Sequence, residues 1–158
     1  MRAVKDHSGF TIVELLIVIV VIGILAALVL NTFSSAQARA RDADRINDVN
    51  TIKKALETYY TLNSSYPNSN QVRNATFRRD ELKLAEDAVR SPSGSSIGYC
   101  WSTSPNQYCY VAYRWPGGPA GDCTGGGTDS VETCRGYTIS YRLEKDSTTR
   151  IDVRGLSN

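Results

Sequence analysis

The chain has 158 residues and a mass of 17.4 kDa, which suffices for one domain with a hydrophobic core and an appendage but not for two ordinary domains. Its formal net charge is only +2, from 18 Lys and Arg against 16 Asp and Glu, so charge alone does not indicate a nucleic-acid partner. The one histidine is His7, near the N-terminus, which argues against histidine-activated nucleophiles and histidine-bound zinc, so we expect neither an enzyme nor a cofactor.

The first element is an apolar segment, residues 10–30, in which only Thr11 and Glu14 are polar. A helix of this length rises about 30 Å, the thickness of the hydrocarbon layer of a bilayer. The segment is therefore predicted to be able to span a membrane, and the acid near its start needs an explanation.

Three interpretations of this segment compete. The first is a cleavable secretory signal, supported by Arg2, Lys5 and the small-x-small residues 36–38, but the apolar run is too long and carries an acid. The second is a plain signal anchor in which Glu14 lies at the interface by chance. The third is cleavage of the Gly9–Phe10 bond, which creates a cationic amine on Phe10 one helical turn from Glu14. If the amine and the carboxylate belonged to neighbouring chains, their pairing would set the register of one helix against the next.

The string GFTIVELL, residues 9–16, closely resembles the cleavage and methylation motif of type IV prepilins and type II secretion pseudopilins. The resemblance implies cleavage after Gly9 by a prepilin peptidase, N-methylation of Phe10, and assembly through Glu14 into a helical filament of copies of the chain. Gly23 also falls where this family usually has a glycine, whereas the customary proline is replaced by Asn31. If the charge on Glu14 is not the register device, apolar packing around Gly23 and Ala27 is the alternative.

The resemblance also implies a domain organisation and a life cycle. We expect a leader at residues 1–9, an assembly helix at 10–30, its amphipathic continuation at 31–62 and a globular head at 63–158. The chain would be a single-pass membrane protein and then part of an extracellular filament, with an assembly platform and minor pilins as partners. Adhesion, twitching motility or DNA uptake are the expected roles; a secretion pseudopilin or a membrane-anchored extracellular binding domain are the alternatives.

After the apolar segment the helical pattern continues on a polar background. An apolar stripe recurs at steps of three and four residues, formed by Ile46, Val49, Ile52, Leu56 and Tyr59. Nothing breaks the pattern before Asn63, so one helix is predicted from Phe10 to about Leu62. A second, short helix is predicted around Asp80–Val89, and the adjacent Arg78 and Arg79 are expected to be solvated.

The C-terminal half is predicted to form strands. The turn at residues 104–107 separates two aromatic runs and predicts a hairpin. Farther on, Tyr137, Ile139, Tyr141 and Leu143 alternate with polar residues, and Ile151 and Val153 repeat the pattern. We therefore expect an α+β fold in which the amphipathic half of the long helix packs on an antiparallel sheet of about four strands.

The four cysteines lie in the C-terminal third and lack a C-x-x-C pair, which favours two disulfides in an exported domain over a zinc site. Three connectivities are open, of which we favour Cys100–Cys109 and Cys123–Cys134. The second pair would staple the glycine-rich loop 116–136, which in pilin-like proteins commonly belongs to the variable outer surface.

Two ligands are weaker predictions. Calcium could bind the loop acids Asp122, Asp129 and Glu132, although the usual calcium-loop pattern is missing. DNA or a sugar could stack on the aromatic residues of the hairpin. Because alternation is expected to place Val111, Tyr113 and Trp115 in the core with Cys109, the remaining contact candidates are Tyr108, Tyr110 and Arg114.

Overall fold

The computed structural model describes residues 10–92, 94, 96–98, 107–114, 123 and 133–156. These residues form two compact units, which divide between Ala38 and Arg39. In chain order the elements are α1 Ile12–Asn63, α2 Ser69–Arg73, α3 Ala75–Asp80, a 3-10 turn Asp87–Val89, β1 Cys109–Tyr113, β2 Gly136–Tyr141 and β3 Ile151–Leu156.

The first unit consists of the apolar part of α1. This helix is long and apolar enough to cross a membrane, and its apolar window is entirely uncovered by other parts of the chain that the structure describes. The helix continues through Asn31, as expected from the absence of proline there. Its apolar side chains are therefore available to contact a membrane or other molecules.

The second unit contains an antiparallel sheet in the order β1-β2-β3. The α+β class is confirmed, and the sheet has three strands within the described residues, close to the expected four. Ile139 pairs with Val153 and Tyr141 pairs with Ile151, so the predicted apolar face of β2 and β3 is correct. The core lies between this face and the second half of α1.

The amphipathic stripe of α1 is largely as predicted. Val49, Ile52 and Leu56 are almost completely buried, and Tyr59 packs at the edge of the core. Ile46 is different, because 44% of it is exposed. One residue earlier, Arg45 is fully buried, so the inward face of the helix is polar at this end.

The predicted helix around Asp80–Val89 is wrong in its position. Two short helices, α2 and α3, precede that segment, and only the 3-10 turn lies within it. Asparagine caps explain the two starts: Asn68 and Gln71 form a reciprocal capping box on α2, and Asn74 caps α3. These caps stabilise helices too short to form through propensity alone.

Arg78 is also not the solvated residue that we expected. Its side chain is 4% exposed, donates to the carbonyl oxygens of Val72 and Arg73, and forms an ion pair with Glu86 at 2.9 Å. Arg79 does lie at the surface, paired with Asp80. Arg78 therefore ties the end of α2 to the segment that follows α3.

The predicted hairpin falls mostly outside the described residues. Immediately before its first run, Gly98 forms a parallel bridge with Cys109. β1 instead pairs along its length with β2. Because Tyr110 stands opposite Ile139, it shares the core-facing side of the sheet, contrary to the expectation, whereas Val111 and Cys109 are buried as expected.

Candidate functional site

The N-terminal end of α1 holds Glu14 in a local hydrogen-bond pair with Thr11. The Thr11 backbone N–H and its hydroxyl both donate to Glu14 Oε2 at 2.8 Å, and the Glu14 N–H donates to Thr11 Oγ1 at 3.3 Å. This is a capping box, in which two helix-terminal donors are satisfied reciprocally. Our sequence reasoning missed it, although the T-x-x-E spacing at the start of an apolar run is its signal.

Phe10 is 87% exposed at this end of the helix. Gly9, the expected cleavage position, lies outside the described residues. Cleavage, N-methylation and the pairing of a new Phe10 amine with Glu14 therefore remain predictions. The Glu14 carboxylate already accepts hydrogen bonds from Thr11 of its own chain before any such amine is formed.

The small residues of the apolar helix lie on an open surface. A Cβ atom added at Gly23 would meet nothing within 4 Å, and Ala27 is likewise exposed. Large apolar side chains surround them, with more than half of the surface exposed at Ile19, Ile22 and Ile24. Nothing within the described residues occupies the space that a side chain at position 23 would fill, so this position is open to close packing against another helix.

In the second unit, an ionic cluster joins α1 to the segment after β2. Arg41 grips Glu144 with Nε and Nη2, at 2.7 to 3.0 Å, and Arg45 donates to Glu144 and to Asp42 at 2.7 and 2.8 Å. Asp42 in turn accepts from the backbone N–H groups of Glu144 and Lys145. We call Arg41, Asp42, Arg45 and Glu144 the ionic clamp.

The residues of the clamp are arranged so that they stabilise one another's charges. The Arg45 side chain is completely buried, whereas Glu144 is one-quarter exposed. Hydrogen bonds from Arg41 and Arg45 lower the pKa of Glu144 to about 2. A buried arginine is tolerated only with such partners, so the clamp fixes this part of α1 against the head.

A second polar contact lies deeper along the same helix. Glu57 accepts hydrogen bonds from the hydroxyls of Tyr66 and Tyr137, at 2.8 and 2.9 Å. The Tyr137 ring passes over Gly155 of β3, where an added Cβ would collide with the ring and lie 2.8 Å from Glu57 Oε1. Gly155 is therefore required by the close approach of this ring.

The cysteines partly follow the prediction. Cys123 and Cys134 form a disulfide with a Cα separation of 6.0 Å. Backbone hydrogen bonds tie both residues to the segment after α1, from Tyr66 N–H to the Cys134 carbonyl and from Ser69 N–H to the Cys123 carbonyl. Cys109 is a buried free thiol whose pKa is raised by burial, and its expected partner Cys100 lies outside the described residues, so that pairing stays a prediction.

The structure excludes two of the proposed ligand contacts. Tyr108 and Tyr110 are buried, and their hydroxyls donate to Asp48 and to the Pro67 carbonyl, so neither ring can stack on DNA or a sugar. Arg114 is exposed. The calcium candidates Asp122, Asp129 and Glu132 lie outside the described residues, and the described residues contain no cluster of metal-binding side chains.

Comparison with known proteins points to one family. The profile of the prokaryotic N-terminal methylation motif matches residues 4–30. The type II secretion system core protein G of Escherichia coli is 37% identical over 71 residues, which are 45% of this chain and 49% of that protein. The Pseudomonas aeruginosa protein of the same name is 37% identical over 67 residues, 42% of this chain and 47% of that protein. The chain thus matches about half the length of these secretion proteins.

A longer match extends into the head. The type IV wide pilus major component PilA4 of Thermus thermophilus is 33% identical over 108 residues, which are 68% of this chain and 74% of that protein. No solved structure matches with significance. The extent of the PilA4 match, together with the methylation motif, shows that the chain belongs to the type IV pilin and pseudopilin family.

Proposed function

We propose that this chain is a structural subunit of a type IV pilus-like filament, assembled from the membrane through the first half of α1. The observation that carries the proposal is the uncovered apolar helix, which has Glu14 at its start and an open glycine at position 23. In a bilayer the helix is covered by lipid; in a filament it is covered by the helices of other copies. The chain has no other means of burying this surface among its described residues.

Processing belongs to the same proposal. A prepilin peptidase cuts after Gly9, the new amine of Phe10 is methylated, and Glu14 of an incoming subunit pairs with the amine of one already in place. Pairing offsets the cost of a carboxylate in an apolar surrounding, which is about 2.5–3.5 kcal/mol on insertion scales. The capping box supports this sequence of events, because Thr11 holds the carboxylate near the helix start until the intermolecular partner arrives.

A surface pilus is favoured over a secretion pseudopilus. The matches to the secretion proteins cover less than half of this chain, whereas the match to PilA4 covers 68% of it. The head determines what a filament presents, so similarity that continues into the head is the more informative. We propose a filament on the cell surface that serves adhesion, twitching motility or DNA uptake, built with an assembly platform and minor pilins.

The proposal is tested by expressing the tagged chain in a bacterium that has a pilus assembly system and its prepilin peptidase. We expect labelled surface fibres in electron microscopy, and a mature N-terminus at a methylated Phe10 in mass spectrometry. A chain that retains Met1, or that begins at Arg39 after ordinary signal-peptidase cleavage, contradicts the proposal. Processed chains found only in short periplasmic filaments establish the pseudopilus instead.

A further inference from the structure

A surface cleft on the head, over α2 and α3, is lined by side-chain amides. Its first hollow, of about 300 Å³, is bounded by Asn68, Asn70, Gln71, Asn74 and Phe77. A second hollow of about 280 Å³ adjoins it and shares Asn74 and Phe77, with Thr76, Asp80 and Glu81 as its other walls. We call the two hollows together the amide cleft. Each is close to the lower limit of about 300 Å³ for small-molecule sites.

The helix caps orient the amides. The side-chain oxygens of Asn68 and Gln71 accept from each other's backbone N–H groups at 2.8 Å, and Asn74 Oδ1 accepts from the N–H groups of Thr76 and Phe77 at 2.9 and 3.2 Å. These bonds use the oxygens and leave the NH₂ groups, which have no partner among the described residues. Each NH₂ group carries two hydrogen-bond donors. Three of the four amides that line the cleft, those of Asn68, Gln71 and Asn74, are therefore already fixed in direction.

The other walls define what the cleft can accept. Phe77, half-buried and packed on Tyr59 with ring centroids 5.6 Å apart, offers an apolar ring that is held in place from beneath. Glu81 adds acceptor oxygens, the Asp80 carboxylate is paired with Arg79, and no Lys or Arg lines either hollow within the described part of the chain. The Glu81 carboxylate, in a lining that contains no cation, disfavours an anionic ligand. Donors, acceptors and one ring instead suit a neutral molecule with many hydroxyls and an apolar face.

We propose that the amide cleft is a binding site for a neutral saccharide. Sugar hydroxyls both donate and accept, so they can use the NH₂ groups of one hollow and the Glu81 carboxylate of the other. The C–H face of a sugar ring packs against Phe77 as other apolar groups pack on aromatic rings. The site differs from the hairpin aromatics Tyr108 and Tyr110, which the fold buries.

The proposal is tested on the full mature chain in detergent micelles by following the side-chain NH₂ signals in ¹⁵N NMR. The probes are maltose, cellobiose and N,N′-diacetylchitobiose, with inorganic phosphate as the anionic comparison. We expect at least one disaccharide to shift the NH₂ signals of Asn70, Gln71 and Asn74 saturably, and phosphate to leave them unchanged. No saturable shift with any of the three disaccharides overturns the proposal, as does saturation by phosphate alone.

Two variants locate the site. Asn70→Ala removes an exposed amide that caps neither helix, and Phe77→Leu removes the ring while keeping an apolar side chain. Each is expected to weaken binding by about two- to tenfold. Asn50→Ala, an exposed asparagine of α1 outside the cleft, is the matched control and should bind as the parent does. Unchanged affinity in Asn70→Ala and Phe77→Leu places any sugar binding elsewhere and contradicts the proposal.

Discussion

The contacts within a single chain do not fully explain why position 14 is a glutamate. The capping box with Thr11 satisfies the helix start, but an aspartate or a glutamine could serve a cap nearly as well. What distinguishes glutamate from glutamine is its charge at the depth of the expected Phe10 amine. The two roles can be separated by changing the charge and the cap independently.

We expect Glu14→Gln to be processed and inserted normally but to form at least about tenfold fewer filaments. Glutamine keeps the size and the capping bonds, so only the charge is lost, and about 1.4 kcal/mol per contact already gives a factor of ten. Quantitative electron microscopy and membrane fractionation measure the result. Thr11→Val is the matched control, since it removes the hydroxyl and keeps the carboxylate, and it should assemble better than Glu14→Gln. Equal fibre yields in Glu14→Gln and the parent would assign assembly to apolar packing at Gly23 and Ala27.

Glu144 is the corresponding charged residue of the head. We expect Glu144→Gln to lower the free energy of unfolding by about 1–3 kcal/mol near neutral pH, because buried Arg45 then faces a neutral amide in place of a carboxylate. Chemical unfolding of the mature chain in micelles measures this. Asp44→Asn, at an exposed carboxylate of the same helix, should change the stability by much less.

The same residue sets part of the acid sensitivity. The folded pKa of Glu144 is about 2, below the ordinary value of 4.5, so its contribution is complete above the ordinary pKa. That contribution is lost as the pH falls from 4.5 towards 2. The parent should therefore lose stability over this interval, and Glu144→Gln should lose less. An equally steep loss in the variant would show that other carboxylates determine the acid response.

At the scale of elements, two glycines differ in the space around them, which is filled at one and open at the other. Gly155 in β3 lies under the Tyr137 ring, so we expect Gly155→Ala to destabilise the head by about 1–3 kcal/mol through overpacking. Gly23 in α1 has open space, so Gly23→Ala should leave the head stability unchanged and reduce only filament yield. Unfolding curves and fibre counts of both variants give the comparison. A stable Gly155→Ala would mean that the Tyr137 ring moves aside without cost.

The elements also show what sequence can and cannot predict. The long helix and the core face of β2 and β3 were predicted correctly, because their apolar spacing directly reflects helical and strand periods. Arg45 and Asp42 were missed, since a charged residue on a polar helix is usually solvated and their partner Glu144 is about 100 residues away. Tyr110 was assigned to the wrong face because its side depends on which strand it pairs with. The capping boxes at Thr11 and Asn68 could have been predicted from their spacing.

At the scale of the whole molecule, the disulfide Cys123–Cys134 closes the glycine-rich loop, and backbone hydrogen bonds to its two cysteines hold that loop against the segment that follows α1. We expect the double variant Cys123→Ser, Cys134→Ser to lose about 2–4 kcal/mol, the usual value for a loop of this length. Hydrogen exchange should rise first at Tyr66 and Ser69, whose N–H groups bond to the two cysteine carbonyls. Uniform loosening of the sheet instead would contradict a local role.

Thiol counting on the same molecule tests the second pairing. If Cys100 and Cys109 are joined, the exported chain has no free thiol under non-reducing mass spectrometry; if they are not, it has two. A buried thiol reacts slowly because its pKa is raised, so the count is made after unfolding in the presence of an alkylating reagent. Four free thiols would overturn the expectation of an oxidising compartment.

The ionic clamp implies an order of events during synthesis and folding of the chain. Arg41 and Arg45 leave the ribosome about 100 residues before Glu144. The apolar stripe of α1 is likewise synthesised well before β2 and β3, which cover it in the folded head. During that interval the nascent chain consists of an apolar segment able to span a membrane, followed by an amphipathic helix without the sheet that covers it. The membrane segment can therefore be inserted while the head is still unable to close. We therefore expect the rest of the chain to be translocated as an unfolded polypeptide, and the pairing of Glu144 to be among the last steps in closing the head.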